Sequence, residues 1–320
     1  MINLEVSTSL EEISKIPFWN YEEEILKSET AGDSNMNVVL RITTNQRSVI
    51  LKQSKTYVNK YPQIPAPLSR IEVEHAFYQH VQKHPVLKNF SPKVLAYRSD
   101  DHLLMTEDLG KGKDFSDLYR GESTMESATI SKLVDYMNAL HELEIKDFPD
   151  NREMKLLNHE HIFNFPFSLE NGFDLDSVQI GLQELSLKYK SNTALKRKID
   201  ELGRKYLSQG ETLLHGDFYP GSWLKSDSGI KIIDPEFGFL GDPEFDLGVL
   251  FAHLNLSLQP SSLKAEFLHS YNQPISPELL DQYQGVEILR RLIGIAQLPV
   301  RMTLDQKEKL MDQAVNLILG

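Results

Sequence analysis

The sequence predicts an α+β protein of two lobes. A small N-terminal lobe with an antiparallel sheet and one helix precedes a larger, mainly helical C-terminal lobe. Three observations support this prediction. At 320 residues the chain is long for a single hydrophobic core. Its first third alternates paired β-branched runs with one helical pattern, which is typical of a small α+β unit. After residue 115 the apolar residues recur mainly at helical spacing.

Composition excludes several classes of function. Hydrophobic residues make up 40% and charged residues 25% of the chain, which is ordinary for a folded soluble protein. The formal net charge of −12 argues against nucleic acid as a partner. There are no cysteines, so disulfides, thiolate metal sites and cysteine nucleophiles are excluded. The opening residues lack a signal-peptide pattern, and no apolar run suits a membrane span. We therefore expect a cytoplasmic monomer or homodimer without a membrane partner.

The N-terminal lobe is predicted as strands, helix, strands. Residues 10–30 have a helical pattern with an acidic face. Asn37–Gln53 reads as a hairpin of two β-branched runs around TTNQ. Tyr61–Pro67, YPQIPAP, is a proline-rich connector that a helix cannot cross. A helix with Ser69 as its N-cap follows. Lys93–Leu109 contains two further apolar runs around the turn RSDD.

The lobes are predicted to divide between residues 108 and 109. After GKGKDF the apolar spacing becomes helical, and ESATISKLVDYMNALHELE is a clear amphipathic helix. Its His141 is interpreted as a core residue. Helical spacing recurs at 182–206 and again from the end of an acidic segment to Gly320.

The acidic segment, Leu213–Gly248, contains seven carboxylates and one histidine. TLLHGD reads as a strand that ends at Asp217, and Ile230–Glu236 reads as a second strand that ends at Asp234. The turn residues SDSG lie between them, so we expect the two strands to pair as a hairpin. Both aspartates would then leave the hairpin region at one end. Two carboxylates held close repel each other unless a cation offsets the repulsion, and Mg²⁺ is the usual cation for oxygen ligands.

The spacing of these aspartates indicates phosphoryl transfer. In kinases one aspartate accepts the proton of the substrate hydroxyl, a metal ligand follows five positions later, and a second aspartate on the next strand holds Mg²⁺. Here Asp217 is followed five positions later by Ser222, and Asp234 lies seventeen positions after Asp217 (234 − 217). We interpret the neighbouring DPEFD, Asp242–Asp246, as helix-capping and structural.

A lysine and a glutamate in the N-terminal lobe suit the same chemistry. Lys52 ends the apolar strand SVILKQ, where an unpaired ammonium would be costly. Glu72 and Glu74 on the following helix are both candidate partners. Glu74 is preferred because Phe77 and Val81 flank its face. A structural salt bridge between strand and helix is the competing interpretation of such a pair.

Two loops complete the predicted nucleotide site. AGDSNMN, Ala31–Asn37, lies before the first strand of the hairpin, where a loop over phosphates belongs, and the Asn35 side chain could contact them. The segment LLMTEDL would supply a hinge whose backbone at Glu107, Asp108 and Leu109 reads an adenine edge. Taken alone, the first of these segments is an ordinary turn.

The motifs HGDFYPGS and DPEFGFLGDPEFDLG resemble those of the aminoglycoside/choline kinase superfamily, which is protein-kinase-like, and within it methylthioribose kinase most of all. Ser222 stands where most of that superfamily has asparagine and follows the methylthioribose kinase variant. VILKQSKTYV, RIEVEHAFY, TEDL and EILRRLIGIAQ (Glu287–Gln297) are also similar to segments of that subfamily. The resemblance extends from Asn35 to Gln297.

The resemblance implies a bilobal protein-kinase-like fold that uses ATP and Mg²⁺ to phosphorylate a hydroxyl of a sugar-like metabolite. Residues 1–108 would form the nucleotide-binding lobe, and residues 109–320 the catalytic and acceptor-binding lobe. Asp217 would be the catalytic base that meets the acceptor hydroxyl. The implied ligand residues are Asn35, Lys52, Glu74, Glu107, Asp108, Leu109, Asp234 and Glu236 for ATP, Ser222 and Asp234 for the metal, and Arg290 and Arg291, with Asp217, for the acceptor.

Three features leave the acceptor open. FYP follows HGD directly beside the base, GDPEFD departs from the subfamily pattern, and Gln297 stands where the subfamily has histidine. Adjacent arginines on a helix point about 100° apart, so at most one of Arg290 and Arg291 need face a site. The alternatives are an aminoglycoside or amino-alcohol (choline-type) phosphotransferase and, in another class, a kinase-fold binding protein of weak activity.

Overall fold

A computed structural model describes residues 3–32 and 36–320. The predicted phosphate contact Asn35 lies outside the described residues. The eleven strands in these ranges are β1 (Ile25–Thr30), β2 (Val38–Thr44), β3 (Ser48–Gln53), β4 (Tyr57–Val58), β5 (Tyr61–Pro65), β6 (Val94–Arg98), β7 (Leu103–Glu107), β8 (Thr212–Leu214), β9 (Trp223–Ser226), β10 (Gly229–Ile232) and β11 (Phe239–Gly241).

The ten α-helices of the described ranges are α1 (Leu10–Ser14), α2 (Arg70–Val81), α3 (Ser127–His141), α4 (Arg152–His159), α5 (Leu182–Lys190), α6 (Thr193–Leu207), α7 (Glu244–Leu256), α8 (Ser262–Ser270), α9 (Pro277–Ile293) and α10 (Leu304–Leu319). None of the helices in the described part of the chain is both long and apolar enough to cross a membrane.

The N-terminal part is a five-stranded antiparallel sheet in the order β1-β2-β3-β7-β6. The predicted hairpin forms, and its register places Lys52 opposite Val39 and Leu104. Leu40 and Ile42 of β2 and Val49 and Leu51 of β3 are buried at alternate positions, as the period of two in a strand requires. Residues next to them, such as Val39 and Lys52, are buried as well. The sheet and the mainly helical remainder confirm the predicted α+β fold class.

Two local predictions in this part are wrong, and a third is incomplete, since no helix crosses the proline-rich connector but a strand lies in it. The helix expected over 10–30 covers only α1, because Pro17 cannot continue it and β1 pairs with β2 instead. The proline-rich connector contains a strand, β5, which pairs only with β4, and proline is tolerated at such an edge. Ser69 precedes α2, but its side chain makes no capping hydrogen bond.

A continuous apolar core joins the two parts of the molecule. Ile71 and Phe77 of α2 belong to one buried cluster with Leu133 of α3 and Trp223 of β9. A second cluster lies among α6, α7, α9 and α10, and a third lies under the N-terminal sheet. His141 is buried in α3, as predicted, and bonds the hydroxyl of Tyr271. Elements of the N-terminal part and of the helical part therefore share the first of these clusters.

The acidic segment folds as two strand pairs instead of the single predicted hairpin. β10 pairs with β9, and β8 pairs with β11. The prediction overlooked β9, which directly precedes the SDSG turn and is therefore the nearest partner for β10. Asp217 follows β8 and Asp234 follows β10, so both aspartates still come to one region of the molecule.

Candidate active site

Lys52 connects the N-terminal sheet to two carboxylates. Its Nζ lies 2.7 Å from Oε1 of Glu74 on α2 and also forms an ion pair with Asp234. Glu72 is exposed, so the structure pairs Lys52 with Glu74, the preferred candidate. Burial by itself would lower the pKa of Lys52, but Asp234 and Glu74 outweigh it and raise that pKa. Lys52 is therefore a permanent cation in the cleft between sheet and helices.

Asp234 has a left-handed backbone that directs it into this cleft. Its φ is 63°, a conformation that aspartate tolerates better than most residues. A short 3₁₀ turn at Pro235–Phe237 follows, and the Asp234 side chain remains 47% exposed. A half-exposed carboxylate beside a buried lysine can accept a further cation without leaving its place.

Glu236, two positions later, is buried and held by residues that sequence reasoning missed. Its Oε2 accepts a hydrogen bond of 2.8 Å from Nδ2 of Asn37 and lies 3.4 Å from Nε of Arg70. Burial raises the pKa of Glu236 to about 8 in spite of the nearby charges of Arg70 and Lys52. The only sequence signal for Arg70 was a charged residue at the start of an apolar-striped helix, and a solvent-facing arginine gives the same signal.

Asp246 fixes the loop that carries Asp217. The backbone N–H groups of His215 and Gly216 donate to its two oxygens at 2.7 and 2.9 Å. Gly216 has a φ of 81°, and a Cβ there would lie 2.2 Å from the carbonyl oxygen of Phe237, so only glycine fits. Asp246 is therefore structural, as interpreted, but it is not a helix cap: it lies in the first turn of α7 and binds the preceding loop.

Asp217 faces two cations from α9. Its Oδ1 lies 3.5 Å from an Nη of Arg291 and 3.9 Å from an Nη of Arg290. Burial raises the pKa of Asp217, and the two guanidinium groups oppose that rise. The expectation that only one arginine need face the site is thus corrected, since both do.

One carboxylate explains the convergence of these arginines. Glu287, one turn earlier on α9, accepts from Nε of Arg290 and, at 2.8 Å, from Nε of Arg291. Burial would raise the pKa of Glu287, but both arginines outweigh it and hold that pKa far below its ordinary value. Nε2 of His253 bonds the same carboxylate at 3.0 Å, and Nδ1 of His253 meets the hydroxyl of Tyr119. We call this shared binding of Arg290 and Arg291 by Glu287 the fork. It turns both guanidinium groups towards Asp217, although neighbouring positions on a helix point in different directions.

The segment FYP that follows Asp217 contributes one side chain to packing and one to the site. Phe218 is buried and stacks on Tyr136 with centroids 5.5 Å apart. Tyr219 faces the site, where the guanidinium of Arg291 lies 5.1 Å from its ring centroid. The Ser222 hydroxyl lies 3.1 Å from the carbonyl oxygen of Asp217 and 2.8 Å from that of Tyr219. These hydrogen bonds of Ser222 therefore fix the conformation of the loop between Asp217 and Ser222.

Two cavities meet at this site. The first has a volume of about 450 Å³ and lies against the inner strands β2, β3 and β7 of the N-terminal sheet; the second, about 360 Å³, lies beside α9. Asp114, Gly221 and Asp234 line both. The predicted site residues in the first cavity are Lys52, Glu74, Glu107, Asp108, Leu109 and Asp234, and those in the second are Asp217, Ser222, Asp234, Glu236, Arg290 and Arg291.

At the first cavity, the Asp108 side chain holds the predicted hinge segment in place. Its carboxylate accepts from Nε of Arg41 at 2.7 Å and from the hydroxyl of Ser48 at 2.6 Å. Burial would raise the pKa of Asp108, but these hydrogen bonds lower it. The carboxylate thus fixes the chain at Glu107–Leu109 against β2 and β3.

The donor set fits a magnesium ion that is shared with phosphates. No three acidic or histidine side chains of the described ranges form a metal cluster by themselves. Mg²⁺ bound with nucleotide phosphates needs only one or two carboxylates, because phosphate oxygens and water supply the other ligands. Asp234 provides such a carboxylate at the junction of the two cavities, with the Ser222 hydroxyl on the same cavity wall.

The chain is similar in sequence to known phosphotransferases. Residues 29–285 match the model of the phosphotransferase enzyme family. Methylthioribose kinase of Exiguobacterium sibiricum is 26% identical over 249 residues, 74% of the chain and 63% of that relative. The chain thus spans less than two thirds of that relative's length. Methylthioribose kinase of Geobacillus thermodenitrificans is 27% identical over an alignment of 331 positions, gaps included, which covers 87% of the chain and 81% of that relative.

A solved structure supports the fold. Choline kinase LicA from Streptococcus pneumoniae has a TM-score of 0.53 at 17% identity, over 96% of each chain. At this identity the likeness concerns the fold alone. The family match covers most of the chain, from β1 to α9. The chain belongs to the phosphotransferase enzyme family.

Proposed function

We propose that the chain is an ATP- and magnesium-dependent small-molecule kinase that transfers the γ-phosphoryl group to a hydroxyl of a sugar-like metabolite. One observation carries this proposal: two cavities meet at Asp234, with Lys52 in the first and Asp217 in the second. Phosphoryl transfer depends on positioning and charge neutralisation, so donor and acceptor must meet at one charged point.

The first cavity suits an adenine nucleotide. Val39, Ile50, Leu224 and Ile233 supply apolar walls for a base, and the hinge at Glu107–Leu109 offers backbone groups to its edge. Lys52, held by Glu74, would bind the phosphates. We propose that residues 1–108 form the nucleotide-binding lobe and residues 109–320 the catalytic and acceptor-binding lobe.

Asp234 would hold the magnesium ion, with Ser222 as a further oxygen ligand. When bound there, the ion supplies neutralisation of the charge on the phosphate oxygens. Glu236 would support the same phosphates from its position beside Arg70 and Lys52. Arg70 and Asn37 keep Glu236 in place, so they would act through it.

Asp217 would act as the base. Its carboxylate accepts the proton of the acceptor hydroxyl as that oxygen forms a bond to the γ-phosphorus. The bond between the γ-phosphorus and the bridging oxygen breaks, and ADP leaves with the electron pair. Asp246 holds the loop of Asp217 through two backbone hydrogen bonds, which would keep the Asp217 carboxylate in place in the second cavity.

A methylthioribose-like sugar is the acceptor class that we favour. Both curated relatives described above are methylthioribose kinases, at 26–27% identity. Arg290 and Arg291 both face the second cavity, and a guanidinium pair favours neutral or anionic oxygens over a cationic group. This observation weighs against a choline-type or aminoglycoside acceptor, whose ammonium groups the arginines would repel.

An acceptor panel tests the proposal. We expect ADP release from MgATP with 5-methylthioribose or D-ribose, and little with choline or kanamycin. Turnover of choline or kanamycin alone would replace the sugar assignment with the amino-alcohol or aminoglycoside one. No turnover, together with no thermal stabilisation by MgATP, would favour a kinase-fold binding protein.

A further inference from the structure

The geometry points to His161 as a specificity-determining residue that hydrogen-bonds a second oxygen of the acceptor, away from the hydroxyl that is phosphorylated. This inference rests on the proposed function, because it concerns the acceptor cavity of the same site. His161 had no part in the sequence-based site, and its motif, NHEHIF, carries no catalytic pattern.

His161 lies on the wall of the second cavity. α4 ends at His159 and continues as a π-helical turn over Glu160–Asn164. Leu157, Asn158 and His161 all line the cavity; His161 follows Leu157 by four residues and Asn158 by three, so it lies on the same face as both. π-Helical turns are rare and often occur at functional sites. The turn thus directs a histidine into the cavity that contains Asp217 and both arginines.

The ring has an unmet hydrogen bond. Nδ1 of His161 is shielded from solvent and has no hydrogen-bond partner among the described residues. A buried polar atom without a partner is unfavourable, and native structures rarely leave one without reason. Nδ1 is shielded from a ligand as it is from water, so the ring would meet a ligand through Nε2. Since no protein contact fixes the tautomer, Nε2 can be either an N–H donor or an acceptor, and the shielded Nδ1 takes the other role.

The charges around His161 select the kind of ligand. Burial and the positive charge of Arg290 lower the pKa of His161, and Glu160 opposes them weakly. The imidazole is therefore neutral near pH 7. A neutral imidazole next to a guanidinium suits a hydroxyl, which accepts from the arginine and donates to, or accepts from, the histidine. A cationic group of a ligand would be repelled by Arg290 and Arg291, and a neutral histidine would not offset this repulsion.

A structural role is the competing explanation. The His161 ring lies 5.9 Å from the ring of Phe165, so it also contributes to packing. His159 provides a matched control on the same helix. It packs against Phe163 at 5.4 Å, and its Nε2 would lie 2.6 Å from a Cβ at Gly203, so it faces α6 instead of the cavity. Burial lowers the pKa of His159 as well.

The test compares His161→Phe, His161→Gln and His159→Phe with the wild type, with MgATP and 5-methylthioribose as substrates. For His161→Phe we expect the KM for the sugar to rise roughly tenfold, the value of one lost hydrogen bond, with the KM for ATP unchanged. His161→Gln should recover part of this loss because its amide can bond the same oxygen. His159→Phe should leave both KM values unchanged.

The 2-deoxy and 3-deoxy analogues of 5-methylthioribose identify the oxygen. For the analogue that lacks the oxygen bound by His161, wild type and His161→Phe should have equal KM values. A sugar KM unchanged in His161→Phe, or raised equally in His159→Phe, would overturn the inference while wild-type turnover preserves the proposed function. No wild-type turnover of any sugar would overturn both.

Discussion

Glu287 accepts a hydrogen bond of 2.8 Å from Nε of Arg291, four positions later on the same helix. The same carboxylate also binds Nε of Arg290, so one buried anion directs two neighbouring guanidinium groups towards Asp217. Helical geometry alone would separate these arginines by about 100°. The shared bonds to Glu287 therefore explain why both arginines line the second cavity.

Replacement of Glu287 by glutamine is expected to weaken acceptor binding and to destabilise the protein. The amide loses the charge that neutralises two buried cations, and loss of one member of a buried ion pair typically costs about 3–5 kcal/mol. We expect a lower midpoint of thermal unfolding and a sugar KM raised roughly tenfold or more, with a smaller effect on the KM for ATP.

The control for Glu287→Gln is Glu278→Gln in the first turn of the same helix. Glu278 contacts Lys198 at 3.6 Å at the surface, and such exposed pairs contribute little. Equal thermal shifts and equal KM values in the two variants would contradict the role of Glu287.

Replacement of Asp217 by alanine is expected to abolish turnover while MgATP still binds. Loss of a general base typically lowers kcat by about 10²–10⁴-fold, and Lys52, Glu74 and Asp234 remain in place. Turnover by ADP release and nucleotide binding by thermal shift measure the two effects. Asp227→Ala, in the turn between β9 and β10, should behave as wild type. Full activity of Asp217→Ala would refute the assignment.

Replacement of Asp246 by asparagine is expected to lower kcat through the position of the loop. The backbone N–H groups of His215 and Gly216 each donate to a different oxygen of Asp246, and asparagine replaces one of these oxygens by an NH₂ donor that would face a backbone N–H. We expect roughly a 10- to 100-fold loss in kcat with little change in the KM for ATP. Asp242→Asn, which removes a surface ion pair with Lys205, is the matched control. An unchanged kcat in Asp246→Asn would show that the loop holds its position without these bonds.

Stability is expected to fall as the pH is lowered from about 6.5 to about 4, in part through His253. Burial lowers the pKa of His253 to about 4, although the hydrogen bond that its Nε2 donates to Glu287 opposes this shift. Arg291, Arg290, Tyr119 and Tyr219 also face the ring. In this window the unfolded chain binds a proton that the folded chain excludes, so acid favours unfolding. The effect is at most about 3 kcal/mol for one group.

Denaturant unfolding as a function of pH measures this effect. The slope of the unfolding free energy against pH gives the number of protons taken up on unfolding. Between pH 4.5 and 6.5 this number should be lower in His253→Asn than in the wild type, by at most one. His269→Asn, exposed at the end of α8, should keep the wild-type slope. A wild-type slope in His253→Asn would show that His253 does not couple folding to protonation.

Local patterns in the sequence were sufficient for the fold class and for the main charged residues. The β-branched pairs around TTNQ and RSDD, the helix after the prolines and the long amphipathic helices all depend on short-range periodicity. A lysine at the end of a buried strand needs a partner, so the sequence limited the partner of Lys52 to Glu72 or Glu74 and favoured Glu74. The aspartates Asp217 and Asp234 followed from their spacing and from their position after apolar strands.

Only the tertiary structure decided which distant groups meet. The pairing of β8 with β11, the buried Arg70 beside Glu236, the bond from Asp246 to the Asp217 loop, and the cavity position of His161 each join residues from different elements. The fork at Glu287 is local in sequence, yet its direction depends on the burial of α9 against α7 and on His253. A sequence pattern specifies which face of an element is apolar, but the choice of neighbours for that face is made by packing and by the need to pair buried charges.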